Sequence, residues 1–99
     1  MAQISYKKEY NLESNRGKYT IVLSGSLDFI SGYDEYRGEI KVKVNYLNPS
    51  LEIIFFPIIG HVKNEGQLDE LFDRCKDNIV EIVNQDKFGE ISLFDIKVD

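Results

Sequence analysis

An amphipathic helix predicted over residues 64–85 is the feature that most constrains the fold of this chain. Its apolar residues recur at the three- and four-residue spacing of one helical face. Asn64 is a suitable N-cap residue, and Gln67 three positions later completes a capping-box pattern. Such a helix needs an apolar surface to pack against, and the rest of the chain must supply it. The apolar residues are Leu68, Leu71, Phe72, Cys75, Ile79, Ile82 and Val83.

The segments before the helix have the pattern of β-strands. Residues 3–12 and 40–46 alternate apolar and polar side chains, which predicts strands with one covered face. Lys8 shares the parity of the apolar residues in the first strand, and this misfit suits an edge strand. Residues 18–24 predict another strand, and its extension through a bulge at Gly25 to Phe29 remains open.

Two further strands are predicted, one on each side of the helix. Residues 51–59 are apolar at nearly every position, which indicates a central strand with both faces covered. Pro57 cannot donate a backbone hydrogen bond, so regular pairing is expected to stop near Phe56. Residues 90–98 predict the last strand. The fold class is therefore α+β, a single domain over 1–99 with a mostly antiparallel sheet of about five strands in the order β-β-β-β-α-β and the helix on one face.

The negative charge is concentrated on the helix. The chain of 99 residues has a formal net charge of −5. Residues 65–86 hold seven acidic and two basic residues, whereas the remaining chain holds ten of each. This uneven charge distribution gives the protein a directional electric field, and such fields steer association with oppositely charged partners.

Five of the helix carboxylates follow one another at steps of four residues, about 6 Å apart along the axis. We call these residues the acidic row. Neighbouring like charges disfavour the helix slightly, and their spacing is close to that of phosphates along a nucleic-acid strand. This pattern predicts contact with a basic protein, including one that normally binds nucleic acid. An ordinary solvated helix face, flanked by Arg74 and Lys76, is the alternative. The acidic row consists of Glu65, Asp69, Asp73, Asp77 and Glu81.

A second candidate surface lies in the turn-prone segment 31–38. It carries Tyr33, Tyr36 and Arg37, residue types that are over-represented among interface hot spots. The alternative is that one or both tyrosines fold back over the core.

Residues that support catalysis or metal binding are few. His61 is the only histidine and Cys75 the only cysteine, so no cluster of histidine or thiolate ligands is possible within one chain. His61 is expected at a strand exit, exposed or bonded to backbone, and Cys75 is expected in the core. No catalytic, cofactor or metal site is predicted. Direct nucleic-acid binding is not expected either, because the net charge opposes phosphate.

Residues 1–12 lack a signal-peptide pattern, and the longest apolar run, 53–59, is too short to span a bilayer. A single cysteine fits a reducing compartment, so a cytoplasmic location without membrane contact is expected.

These features favour a small, non-enzymatic inhibitor or immunity-like module that meets a basic protein. Toxin-immunity proteins and phage anti-defence proteins share its size and charge, but this is an analogy of composition and not a resemblance of sequence motifs. A structural or assembly subunit that uses an exposed strand edge is one alternative. A small-ligand-binding domain or enzyme with a pocket between helix and sheet is the other. Partner identity and oligomeric state remain open.

Overall fold

The computed structural model describes residues 3–15, 17–47, 50–54, 57–85 and 95–98. It confirms the α+β class, with a mostly antiparallel sheet and one helix packed against it. The strands, in chain order, are β1 (Gln3–Ser14), β2 (Gly17–Ile30), β3 (Glu35–Leu47), β4 (Ser50–Ile54), β5 (Ile58–Val62) and β6 (Asp95–Lys97). A short 3-10 turn (Glu65–Gln67) and the helix α1 (Leu68–Gln85) lie between β5 and β6.

The sheet runs in the order β1-β2-β3-β5-β6, with β4 paired to β3 beyond the end of β5. All pairs are antiparallel except β5 with β6, which is parallel after the helical crossover. β2 continues to Ile30 with an unbroken register against both neighbours, so the extension occurs without a bulge at Gly25. β1 is an edge strand, as Lys8 suggested.

The core lies between α1 and one face of the sheet. Alternate residues of β2 and β3 point to the helix, which contributes its predicted apolar stripe. Gly60 of β5 allows the close approach, because a Cβ there would lie 2.8 Å from Leu71 Cδ2. The most buried members are Tyr19, Ile21, Leu23, Leu27, Ile40, Val42, Val44, Ile58, Val62, Leu71, Phe72, Cys75, Ile79 and Val98.

The prediction of a central strand with both faces covered over residues 51–59 is wrong for residues 51–54. β4 ends at Ile54 and β5 begins at Ile58, so the pairing is interrupted around Pro57 as expected. β4 is not central, because Leu51 and Ile54 are 54% and 71% exposed. Its apolar composition reflects a hairpin arm with β3 and not a strand covered on both faces.

The helix start also differs from the prediction. Asn64 is extended and makes no side-chain capping bond, and a 3-10 turn precedes the α-helix. Gln67 does reach back, but its Oε1 accepts from the Lys63 N–H at 2.7 Å, one residue earlier than a capping box requires. The predicted strand residues 90–94 lie outside the described residues.

Candidate partner-binding surface

All five residues of the acidic row lie on the solvent side of the 3-10 turn and α1. Each is exposed, because the apolar stripe of the helix faces the sheet. The structure therefore brings the row together as one surface. None of the five carboxylates is turned into the core.

The middle of the row is held by the edge strand β1. Lys8 Nζ lies 3.0 Å from Asp73 Oδ1 and 3.4 Å from Asp69 Oδ1, so one ammonium bridges two carboxylates. The Tyr10 hydroxyl donates to Asp73 at 2.6 Å, and the Tyr6 hydroxyl donates to Asp69. These bonds attach one side of α1 to β1, while the helix also packs against β5 and β6.

The contacts leave both aspartate side chains at least half exposed to solvent. Every bond from β1 ends on the Oδ1 atom of Asp69 or Asp73. Their side chains remain 70% and 51% exposed. The tyrosines and Lys8 therefore fix the orientation of two carboxylates without covering them. Groups fixed before binding lose less entropy when a partner contacts them.

The same contacts keep both aspartates ionised. The hydrogen bond from Tyr6, and then the charge of Lys8, lower the pKa of Asp69. The pKa of Asp73 is lowered first by the Tyr10 hydrogen bond and then by Lys8. In return, the hydrogen bond with Asp73 raises the pKa of Lys8, and burial followed by Asp73 raises that of Tyr10.

The rest of the row has less contact with the chain. Lys76 Nζ lies 2.7 Å from Asp77 Oδ1, and Gln85 donates to Glu81 at 3.2 Å. Among the described residues, the Glu65 carboxylate has no hydrogen bond or ion pair. Among the described residues, two lysines, Lys8 and Lys76, contact the five carboxylates of the row, so these groups together keep a negative excess.

The second candidate surface is not the loop that the sequence predicts. β3 begins at Glu35, and only Ser31–Asp34 forms the turn. Tyr33 is 68% exposed, with the Arg37 guanidinium 4.6 Å from its ring centre. Tyr36 points to the helix side of the sheet and packs edge-on against Phe29 at 5.2 Å. Because Arg37 lies on the opposite sheet face, the structure does not bring it to the acidic row.

Glu35 is a buried charge that sequence reasoning missed. It is 6% exposed, and its Oε1 lies 2.7 Å from Arg37 Nη2 and 3.5 Å from His61 Nδ1. The Arg37 hydrogen bond is the main cause that lowers the pKa of Glu35. His61 is thus not exposed at a strand exit. It lies within β5, directly opposite Arg37, with a side chain only 14% exposed.

The alternation of side chains along β1 and β3 predicts the positions of Lys8 and Glu35. Lys8 shares the parity of Tyr6 and Tyr10, which places its ammonium on the helix side of β1. Extension of the alternation of β3 back to residue 35 places Glu35 and Arg37 together on the other face. No contact between Lys8 and the helix is predicted in the sequence analysis above, because Lys8 is interpreted there only as a sign of an edge strand, and residues 31–38 are predicted as a turn.

Cys75 is fully buried as predicted, and burial raises its pKa to about 12. No group of three or more His, Cys, Asp or Glu side chains in the described ranges could hold a metal ion. An open groove of about 470 Å³ lies over Ser24, Ser26 and Lys41 on the sheet.

No helix in the described part of the chain is long and apolar enough to cross a membrane. Comparison with known proteins finds no matching family model, no matching curated protein and no matching solved structure.

Proposed function

We propose that this protein is a non-enzymatic binding module, of the inhibitor or immunity type, that captures a basic protein through the acidic row. The arrangement of Asp69 and Asp73 is the observation that supports it most. β1 fixes both carboxylates through one oxygen each and leaves the other side of each group exposed. A cytoplasmic location remains the expected setting.

The partner would use Lys or Arg side chains, because these complement the charge of the row. Association steered by such charges is fast and sensitive to salt. A protein that normally binds nucleic acid has a suitable basic groove, and the row would compete there with phosphates. Arg37 and Tyr33 would form a separate contact on the other side of the sheet.

The test must spare the contacts that stabilise the fold. Charge reversal at Asp69 or Asp73 would place a cation beside Lys8 and destabilise the fold. A loss of binding in such a variant would not be distinguishable from a loss of stability. The triple variant Glu65→Gln, Asp77→Asn, Glu81→Gln removes three charges and leaves both Lys8 contacts in place. The matched control, Glu13→Gln, Glu39→Gln, Glu52→Gln, removes three exposed charges from the sheet face opposite α1.

We expect the row variant to bind a fluorescent oligolysine peptide about fivefold more weakly than wild type at low salt, since exposed charges each contribute a fraction of a kcal/mol. The control variant should change affinity by less than about twofold. Fluorescence anisotropy measures both. Equal losses in the two variants would mean that only net charge matters, and the acidic row would lose its proposed role.

An assembly subunit is the second candidate, and the β3–β4 hairpin favours it. Among the described residues, three of the four large apolar side chains that are highly exposed lie on this hairpin, namely Leu47, Leu51 and Ile54. Light scattering at two ionic strengths separates the candidates. A mass above that of the monomer, unchanged by salt, would support assembly and count against a purely electrostatic module.

A further inference from the structure

We propose that the partner docks by adding an extended segment to the open edge of β1, with Lys or Arg at alternate positions facing the acidic row. This inference rests on the proposed function and specifies the conformation of the partner. The segment would lie antiparallel or parallel to β1 as one more strand of the sheet.

The first support is the length and regularity of the edge. β1 spans 12 residues, from Gln3 to Ser14. It pairs with β2 along its whole length without a register break. Within the described ranges, β2 is its only strand neighbour. The other side of β1 therefore presents a row of backbone donors and acceptors that can bind a further strand.

The second support is that the usual protection of an edge is reduced here. β1 contains no proline and no bulge. An inward-pointing lysine such as Lys8 normally discourages pairing, because an added strand would bury its charge. Here Asp69 and Asp73 already neutralise that ammonium. A strand added over Lys8 would lie against a cluster of one ammonium and two carboxylates, whose net charge is negative.

The third support is the position and spacing of the acidic row. The contacts of Tyr6 and Tyr10 with Asp69 and Asp73 bring this part of the row against the helix-side face of the edge strand. A strand added beside β1 would lie about 4.8 Å further out. Its side chains that face the helix repeat every 6.6 Å or so, close to the step of about 6 Å between carboxylates of the row. Two or three basic side chains could therefore match successive carboxylates.

This geometry distinguishes two arrangements of the same charges. A peptide in which Lys and Thr alternate can point all its lysines at the row while its backbone pairs with β1. A block peptide of identical composition, with its lysines consecutive, can point only half of them to that side. An alternating peptide N-methylated at every residue keeps the charges and loses the backbone donors on both edges, so it cannot pair with β1 in either direction.

We expect wild-type protein at about 20 mM salt to bind the alternating peptide at least fivefold or so more tightly than either control peptide. Anisotropy gives the affinities. Amide exchange measured by NMR should show about tenfold slower exchange for the outward amides of β1 when the alternating peptide is bound. The same measurements on the row variant of the previous subsection should show weaker binding of all three peptides.

The outcomes separate the two proposals. Equal affinity for the three peptides, with the row variant still weakened, would overturn docking on β1 and leave a purely electrostatic module. Unchanged exchange in β1 would overturn it as well. Peptide binding that the row variant does not weaken would overturn the proposed function. No binding of any peptide would count against both.

Discussion

Lys8 shows how one residue connects the edge strand with the helix. Its ammonium lies between Asp69 and Asp73, and its side chain is 30% exposed. The two aspartates carry like charges one turn apart, which would repel each other on an isolated helix. The Lys8 ammonium offsets this repulsion, and Lys8, Tyr6 and Tyr10 together attach β1 to α1. The acidic row therefore has a structural role as well as the proposed binding role.

Tyr10→Phe tests this attachment through its pH dependence. The Tyr10 hydrogen bond holds the pKa of Asp73 below its usual value. A depressed folded-state pKa stabilises the fold above the unfolded value, near 4, and the gain is lost as the pH falls through the folded value. The variant should therefore lose about 0.5 kcal/mol of unfolding free energy at neutral pH, and the difference should shrink as the pH falls below the unfolded value and the Asp73 carboxylate is protonated.

Urea denaturation across this pH range measures the effect. Tyr33→Phe is the matched control, because Tyr33 is 68% exposed and should show no such loss. If the difference between Tyr10→Phe and wild type were the same at all pH values, it would come from packing and not from the Asp73 hydrogen bond.

At the scale of the elements, glycines decide how closely the strands and helix approach. An added Cβ at Gly38 of β3 would lie 2.2 Å from the Ser26 backbone oxygen and 2.9 Å from Leu27 Cα. These atoms belong to the backbone of β2 and cannot rotate away. Around Gly32, by contrast, no atom lies within 4 Å of such a Cβ.

Gly38→Ala should therefore destabilise the protein by more than about 3 kcal/mol, since β2 and β3 would have to separate. Gly32→Ala in the turn should change stability by less than about 0.5 kcal/mol. Chemical denaturation of both variants compares them. A small effect at Gly38 would show that the strands can separate locally without loss of their ladder.

Strand and helix periodicity predicted most of these elements, and tertiary context decided the rest. The alternation over 40–46 and the stripe over 68–83 are confirmed because each buries one face against the other. The apolar run 51–59 was misleading, since composition does not tell a covered strand from an exposed hairpin arm such as β4. The site was predicted only in part. Spacing within the helix placed the five carboxylates, but only the sheet register brings Lys8 and Tyr10 to them.

At the scale of the whole molecule, Cys75 reports on the integrity of the core. Its thiol is fully buried between helix and sheet, and burial raises its pKa to about 12. A thiol reagent reacts with the thiolate and needs access to the sulfur. Labelling in native buffer should therefore occur only through opening of the structure, and should accelerate with urea in step with global unfolding. The Ellman reaction measures this rate, and rapid labelling independent of urea would contradict the packing.

β3 pairs with two successive partners along one side, β5 at residues 36–40 and β4 at residues 43–47, while β2 pairs with residues 35–46 on its other side. The ladders with β2, β4 and β5 therefore all pair with this one strand of thirteen residues. A shift of β3 by one position would turn its core side chains outward and would misalign all three neighbours at once. The registers of β2, β4 and β5 are therefore coupled through β3. A pairing error in β3 would disturb all three together and could not remain confined to one of them.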